Sequence, residues 1–115
     1  MSGDFSEEAR KKISELKEKG FEFGKSERYL NHRTGITLEN MKTELRNLNN
    51  LVFTDRKDIN GEIRYTLYFA YNKRSGRAYA ITFRDKIRVI TAFPLGRRTL
   101  NKYYKQRFKK SGRYN

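Results

Sequence analysis

Two hydrophobic periods divide the chain. Between Ser6 and Glu18 the apolar positions Ala9, Ile13 and Leu16 recur every three or four residues, with charges on the remaining faces. That spacing predicts a helix, with Ser6 as its N-cap and Gly20 as its stop. A short helical stretch is expected at Ser26–Asn31, broken by Gly35. Thr37 then caps a further helix through Leu48, whose stripe is Leu38, Met41, Leu45 and Leu48.

From Leu51 the period falls to two. Ile63, Tyr65, Leu67, Phe69 and Tyr71 alternate with Arg64, Thr66, Tyr68 and Ala70, as in a strand with one face buried. Lys73–Gly76 reads as a hairpin loop, Arg77–Phe83 as the next strand, Arg84–Lys86 as a turn and Ile87–Phe93 as another strand. A first strand at Leu51–Thr54 completes an antiparallel meander of four, which Pro94 and Gly96 end. Residues 97–108 read as a helix with Leu100, Tyr103, Tyr104 and Phe108 on one side, and 109–115 as a flexible basic tail. The expected fold is α+β: N-terminal helices packed on a four-stranded antiparallel sheet, with a basic C-terminal helix. At 115 residues, with no internal repeat or linker, residues 1–115 form a single domain.

Only 36% of the residues are apolar, and eight Tyr and eight Phe supply much of the area from which a core can be built. Charge changes the picture more. Residues 1–62 carry 12 Lys/Arg against 12 Asp/Glu, and residues 63–115 carry 15 against a single acid, Asp85, so the whole net charge of +14 belongs to the second half. An excess so placed attracts a polyanion, and RNA is the expected partner, as tRNA, mRNA or ribosome-bound RNA. The chain has no cysteine and one histidine, which leaves neither a disulfide framework nor a zinc site of the usual kind, and no metal or other cofactor is expected. The N-terminus has no apolar run, so no signal peptide and no integral membrane association are expected, with the cytoplasm as the default location.

The candidate chemistry interleaves cations and rings. Arg64 and Tyr68 share one face of their strand by parity, and Arg88 projects from the face opposite Ile87 and Val89. Strict alternation puts Thr91 on the core side with Ile87 and Val89. Arginine pairs with phosphate or stacks on a base, and tyrosine stacks on an unpaired base, a combination suited to single-stranded or looped RNA. Arg97, Arg98, Lys102 and Tyr103 begin the C-terminal helix, where free N–H groups and the helix dipole favour a phosphate. The same basic helix could instead dock on an acidic protein or an anionic membrane surface.

His32, beside Arg33, is the one histidine. Metal-free cleavage of RNA needs a base for the 2′-hydroxyl, an acid for the leaving oxygen and a cation for the phosphorane. His32 suits proton transfer, and Arg33 or a sheet arginine such as Arg88 suits the third role. The plain alternative is that His32 caps or packs at a helix end. No phosphate-binding, dinucleotide, zinc-protease or paired-carboxylate motif is present. Acids are scarce in the basic half, which speaks against a metal-dependent nuclease.

His32 precedes Gly35-Ile36, the segment Ile90-Thr91-Ala92-Phe93 offers a hydroxyl residue and then an aromatic two residues on, and Leu67-Tyr68-Phe69 and Tyr71-Asn72 precede it. In these residues and in the order of elements the chain resembles the RelE-type toxins and the ribonuclease domain of colicin D. The resemblance implies a small metal-free ribonuclease with helices laid on an antiparallel sheet. It further implies that His32 is general base or acid, that Thr91 binds or positions the phosphate, and that Phe93 stacks on a base. An acidic antitoxin or immunity protein would cover the basic face of such a toxin. The expected function is therefore an RNA-binding basic domain acting as a metal-free endoribonuclease toxin by 2′-hydroxyl attack. A non-catalytic RNA- or DNA-binding protein, or an interaction module acting through its basic last helix, stands as the alternative.

Overall fold

A computed structural model describes residues 4–23 and 37–102. Helix α1 spans Ser6–Leu16 and continues as a single 3-10 turn over Lys17–Lys19. It is followed by strand β1 at Phe21–Phe23, helix α2 at Leu38–Asn47, and strands β2 at Leu51–Ile59, β3 at Glu62–Ala70, β4 at Gly76–Phe83 and β5 at Ile87–Pro94. Residues 97–102 form a further helical segment, α3. The expected helix at Ser26–Asn31 and the continuation of the last helix to 108 lie outside the described residues, as does the basic tail.

The fold is α+β, and the sheet differs from the expected one in three ways. It has five strands in the order β1-β5-β4-β3-β2, because Phe21–Phe23 adds to β5 in parallel. Three residues are too short a run to show a period. The second difference is β2, which runs on to Ile59 through the charged residues Asp55–Asp58. Asn60 and Gly61, both at positive φ (54° and 86°), turn the chain straight back into β3. That Asn-Gly pair is the turn whose twist suits a two-residue hairpin, and it draws the polar stretch into register with Glu62–Thr66.

The third difference is in parity. Opposite the Ala80-Ile81 step the register jumps, so that Ile81 faces Val89 and Ala80 faces Thr91, leaving Ile90 as an extra residue. Beyond that bulge the alternation of β5 is inverted: Ala92, not Thr91, joins Ile87 and Val89 in the core. A second register shift, between Leu51 and Phe53, does the same to β2.

Helices α1 and α2 lie on one face of the sheet, called inner below. Ala9 and Ile13 of α1 and Met41 and Leu45 of α2 pack with Leu67, Phe69, Tyr79, Ile81, Ile87 and Val89, all buried. The α2 stripe is as expected, and so is its cap: Asn40 N donates to Thr37 Oγ1 at 3.1 Å. Leu48 closes the helix in the left-handed region, at φ 59°. Ser6 is not the cap of α1. Its hydroxyl donates to Asp4 Oδ1 at 2.6 Å, and the same oxygen accepts from Ser6 N and from Thr54 N, each at 3.0 Å. The N-cap position falls on Phe5, without a side-chain cap, while Asp4 holds the first helical N–H and ties the helix start to β2.

A second, smaller apolar cluster lies on the outer face at one end. There Leu100 of α3 is fully buried against Val52, Phe53 and Ala70, with Tyr68 and Leu95 beside it. Gly76 makes this approach possible: a Cβ there would stand 2.5 Å from Leu100 Cδ2 and 2.3 Å from the Phe69 carbonyl oxygen.

Candidate nucleic-acid interface

The outer face is built in rows that the register sets. Arg64, Thr82 and Arg88 stand side by side across β3, β4 and β5; Thr66, Ala80 and Thr91 form the next row; Tyr68, Ala78 and Phe93 the third. Small residues thus make a floor along β4, with arginine at one end and rings at the other. Among the described residues α3 is the helix that lies on this side, over the ring end.

At the arginine end three arginines are paired with two carboxylates. Glu62 bridges two arginines, accepting from Arg64 Nε and Arg84 Nη2, both at 2.8 Å. Arg88 Nη1 donates to Glu22 Oε2 of β1 at 3.1 Å. Donation from Arg84, then from Arg64, holds the Glu62 carboxyl below its ordinary value. These pairs are half-exposed and individually weak, and phosphate can compete for such arginines.

Of the residues that the sequence singled out, Arg64, Tyr68, Arg88, Thr91 and Phe93 are brought to this one face. Tyr68 is packed in the outer cluster, its ring centroid 6.1 Å from that of Phe53, so its first role is to support α3. Phe93 is half-buried and stands opposite Ala78, which is itself fully buried. Arg97 and Arg98 are exposed on α3, as is Lys102. His32, Arg33 and Tyr103 lie outside the described residues.

Two further polar constellations, on the inner side, were not read from the sequence. In the first, Glu8 of α1 accepts from Arg56 Nη1 (3.0 and 2.8 Å to its two oxygens) and from the Tyr65 hydroxyl. The Tyr65 bond, with help from Arg56, holds the Glu8 carboxyl below its ordinary value against the effect of burial. Burial, and then the bond to Glu8, push the Tyr65 hydroxyl up to about 12.

In the second, Glu44 of α2 accepts from Arg77 Nη1 at 3.0 Å and from the hydroxyls of Tyr71 and Tyr79. Arg77 Nη1 also donates to the Tyr71 oxygen at 2.8 Å. The pair is largely sheltered, with 18% of the Arg77 and 14% of the Glu44 side chain accessible. Burial first, then Glu44, raises both tyrosines well above their ordinary value. No sequence signal joins these residues, since Glu44 and Arg77 are 33 positions apart.

Among the described residues no group of three or more His, Asp or Glu side chains is placed to hold a metal ion, and no helix is long and apolar enough to cross a membrane. Comparison with family models, with curated proteins and with solved structures finds no match to this chain.

Proposed function

We propose that this chain is a basic RNA-binding domain that engages RNA across the outer face of its sheet. The observation that carries the reading is the bulge at Ile90, which turns Thr91 and Phe93 toward the side that holds Arg64 and Arg88. Arginines at one end would take phosphates, exchanging Glu62 and Glu22 for them, and Phe93 would stack on an unpaired base. Arg97, Arg98 and Lys102 would continue the phosphate track over the ring end. A single strand fits this layout better than a duplex, whose stacked bases could not reach a ring set low among strands.

The position of Thr91 also favours the sharper reading, a metal-free endoribonuclease toxin. With Thr91 and Arg88 on one face, a phosphate bound there would be positioned by the hydroxyl and its negative charge met by the guanidinium. In such a reaction a base removes the 2′-hydroxyl proton and the 2′-oxygen attacks phosphorus. The P–O5′ bond then breaks, an acid protonates the leaving oxygen, and a 2′,3′-cyclic phosphate remains. His32 is proposed for one of the two proton transfers. An acidic antitoxin or immunity protein would match the same basic face.

The test is incubation with total RNA and with tRNA in EDTA, followed by analysis of product ends. Discrete cuts ending in 2′,3′-cyclic phosphate, lost in His32→Ala, support the enzyme. Uncut RNA bound with a steep salt dependence supports the binding domain alone, and RNA neither cut nor bound removes both readings.

A further inference from the structure

The polar hollow on the inner side, beside Glu44 and Arg77, is separate from the outer face and open to solvent, with a volume of about 420 Å³, within the range of small-ligand sites. We infer that it is a base-recognition pocket, which takes one unstacked nucleobase from an RNA strand held by the domain. The inference rests on the RNA-binding reading and adds to it where sequence discrimination would come from.

The chemistry of the walls points to a base and not to a phosphate. Asn40 and Asn47 of α2 and Asn49 and Asn50 of the turn after it line the hollow. A side-chain amide presents a donor and an acceptor side by side, which matches a base edge; a phosphate offers acceptors alone. The floor is neutral as well, because Arg77 is paired with Glu44. The cations stand outside, where exposed Lys73 and Arg74 follow Tyr71 in the β3–β4 turn and suit the phosphates on either side of an inserted base.

The floor is also fixed before any ligand arrives. The bonds of Arg77 to Glu44 and to Tyr71 both run from Nη1 and do not use Nε or Nη2. Those two N–H groups form the edge that pairs with adjacent acceptors on a purine. The Tyr71 ring, 37% exposed, stands at the wall with the Arg77 guanidinium 5.5 Å from its centroid. A purely structural role for the network accounts for Glu44, Tyr79 and Arg77, which tie α2 to the sheet. It does not account for Asn40 and Asn47, which are exposed and make no side-chain hydrogen bond among the described residues. Both recur with Thr43 and Glu44 on one face of α2, beside its apolar stripe. Gly76, next to Arg77, lies under Leu100 of α3, so the hollow and the cationic helix occupy the same end of the sheet on opposite sides.

The experiment compares fluorescence anisotropy titrations of oligo(A), oligo(C), oligo(U) and guanine-bearing UUUGGUUU octamers with the wild-type chain and with Asn40→Ala/Asn47→Ala. Circular dichroism melting checks that the exposed substitutions leave the fold intact. The wild type is expected to prefer one base by about tenfold, the discrimination of one good amide–base pair. The double variant should bring the four within about twofold, with an unchanged salt slope. Equal binding of all four by the wild type, or a preference that survives the double substitution, overturns the pocket and leaves RNA binding standing. If the wild type binds no octamer, the RNA reading fails by itself. The pocket is then judged by titration with AMP, CMP, GMP and UMP: saturable shifts of the Asn40 and Asn47 amide NMR signals support it, and unmoved signals overturn it.

Discussion

Arg88 and Thr91 lie three positions apart in β5 and yet project from the same face of the sheet, because Ile90 is the extra residue of a bulge between them. Without it Thr91 would point under the helices and Ala92 would be outside. The placement is open to a parity test. Thr91→Lys should cost less than about 1 kcal/mol, as an outward change does, whereas Ala92→Lys should cost more than about 4 kcal/mol by burying an unpaired charge. Urea denaturation of the two variants checks the order; equal costs would remove the bulge.

Separable contributions are expected on the outer face if it binds RNA. Arg97→Gln and Arg98→Gln should each lower the slope of log affinity against log salt by about one, in proportion to the phosphates they neutralise. Phe93→Ala should weaken binding by about 1–3 kcal/mol, the worth of one stacked base, and leave that slope alone. Titrations at four salt concentrations read both quantities, and a Phe93 variant that binds as the wild type does would exclude stacking there.

The packing of α3 on the sheet makes a prediction about stability. Leu100→Ala should cost about 2–5 kcal/mol, as removal of a fully buried leucine does. Gly76→Ala should cost about 1–3 kcal/mol or more, and should stay costly in the Leu100→Ala background. The reason is that its new Cβ also meets the Phe69 carbonyl, a backbone atom that cannot swing away. Chemical unfolding of the two single variants and the double reads the coupling.

Stability should fall at both ends of the pH scale through the Glu8–Tyr65 pair. Glu8 has its folded value lowered, so its contribution is present above the ordinary carboxyl range and is lost as pH falls through the folded value. Tyr65 has its value raised to about 12, so its contribution is present below the ordinary tyrosine range and is lost as pH rises toward 12. Tyr65→Phe should weaken the acid limb without removing it, since Glu8 loses its strongest partner but keeps Arg56, and Glu62 is lowered too. It should only reduce the alkaline limb, because Tyr71 and Tyr79 are raised too. Urea midpoints from pH 3 to 12 test both limbs.

What could be read along the chain was whatever depends on neighbours. The α2 stripe, its Thr37 cap and the alternation of β3 are local patterns, and they place Arg64 and Tyr68 on one face without further information. The Asn60-Gly61 turn was equally local, but the charged residues before it hid the strand they belong to. The bulge at Ile90 has no such signature: Ile90, Thr91 and Ala92 suit a strand in either parity, and only packing under the helices chooses Ala92. Strand β1 and the Glu44–Arg77–Tyr79 cluster are products of tertiary structure, joining parts of the chain that no period connects.

Strand β1 has a consequence for the order of assembly. Strands β2 to β5 run consecutively and each pairs with the next, so they can zip together as one stretch of chain. The β1–β5 pairing instead joins residues 66 positions apart, as between Glu22 and Arg88, and must wait for the loop between them to close. On a ribosome β1 would be made before the other four strands of the sheet and be the last of them to find its place. It should also be the first to leave: amides of Phe21–Phe23 should exchange with solvent before those of β3 and β4, uncovering the edge of β5 that carries Arg88.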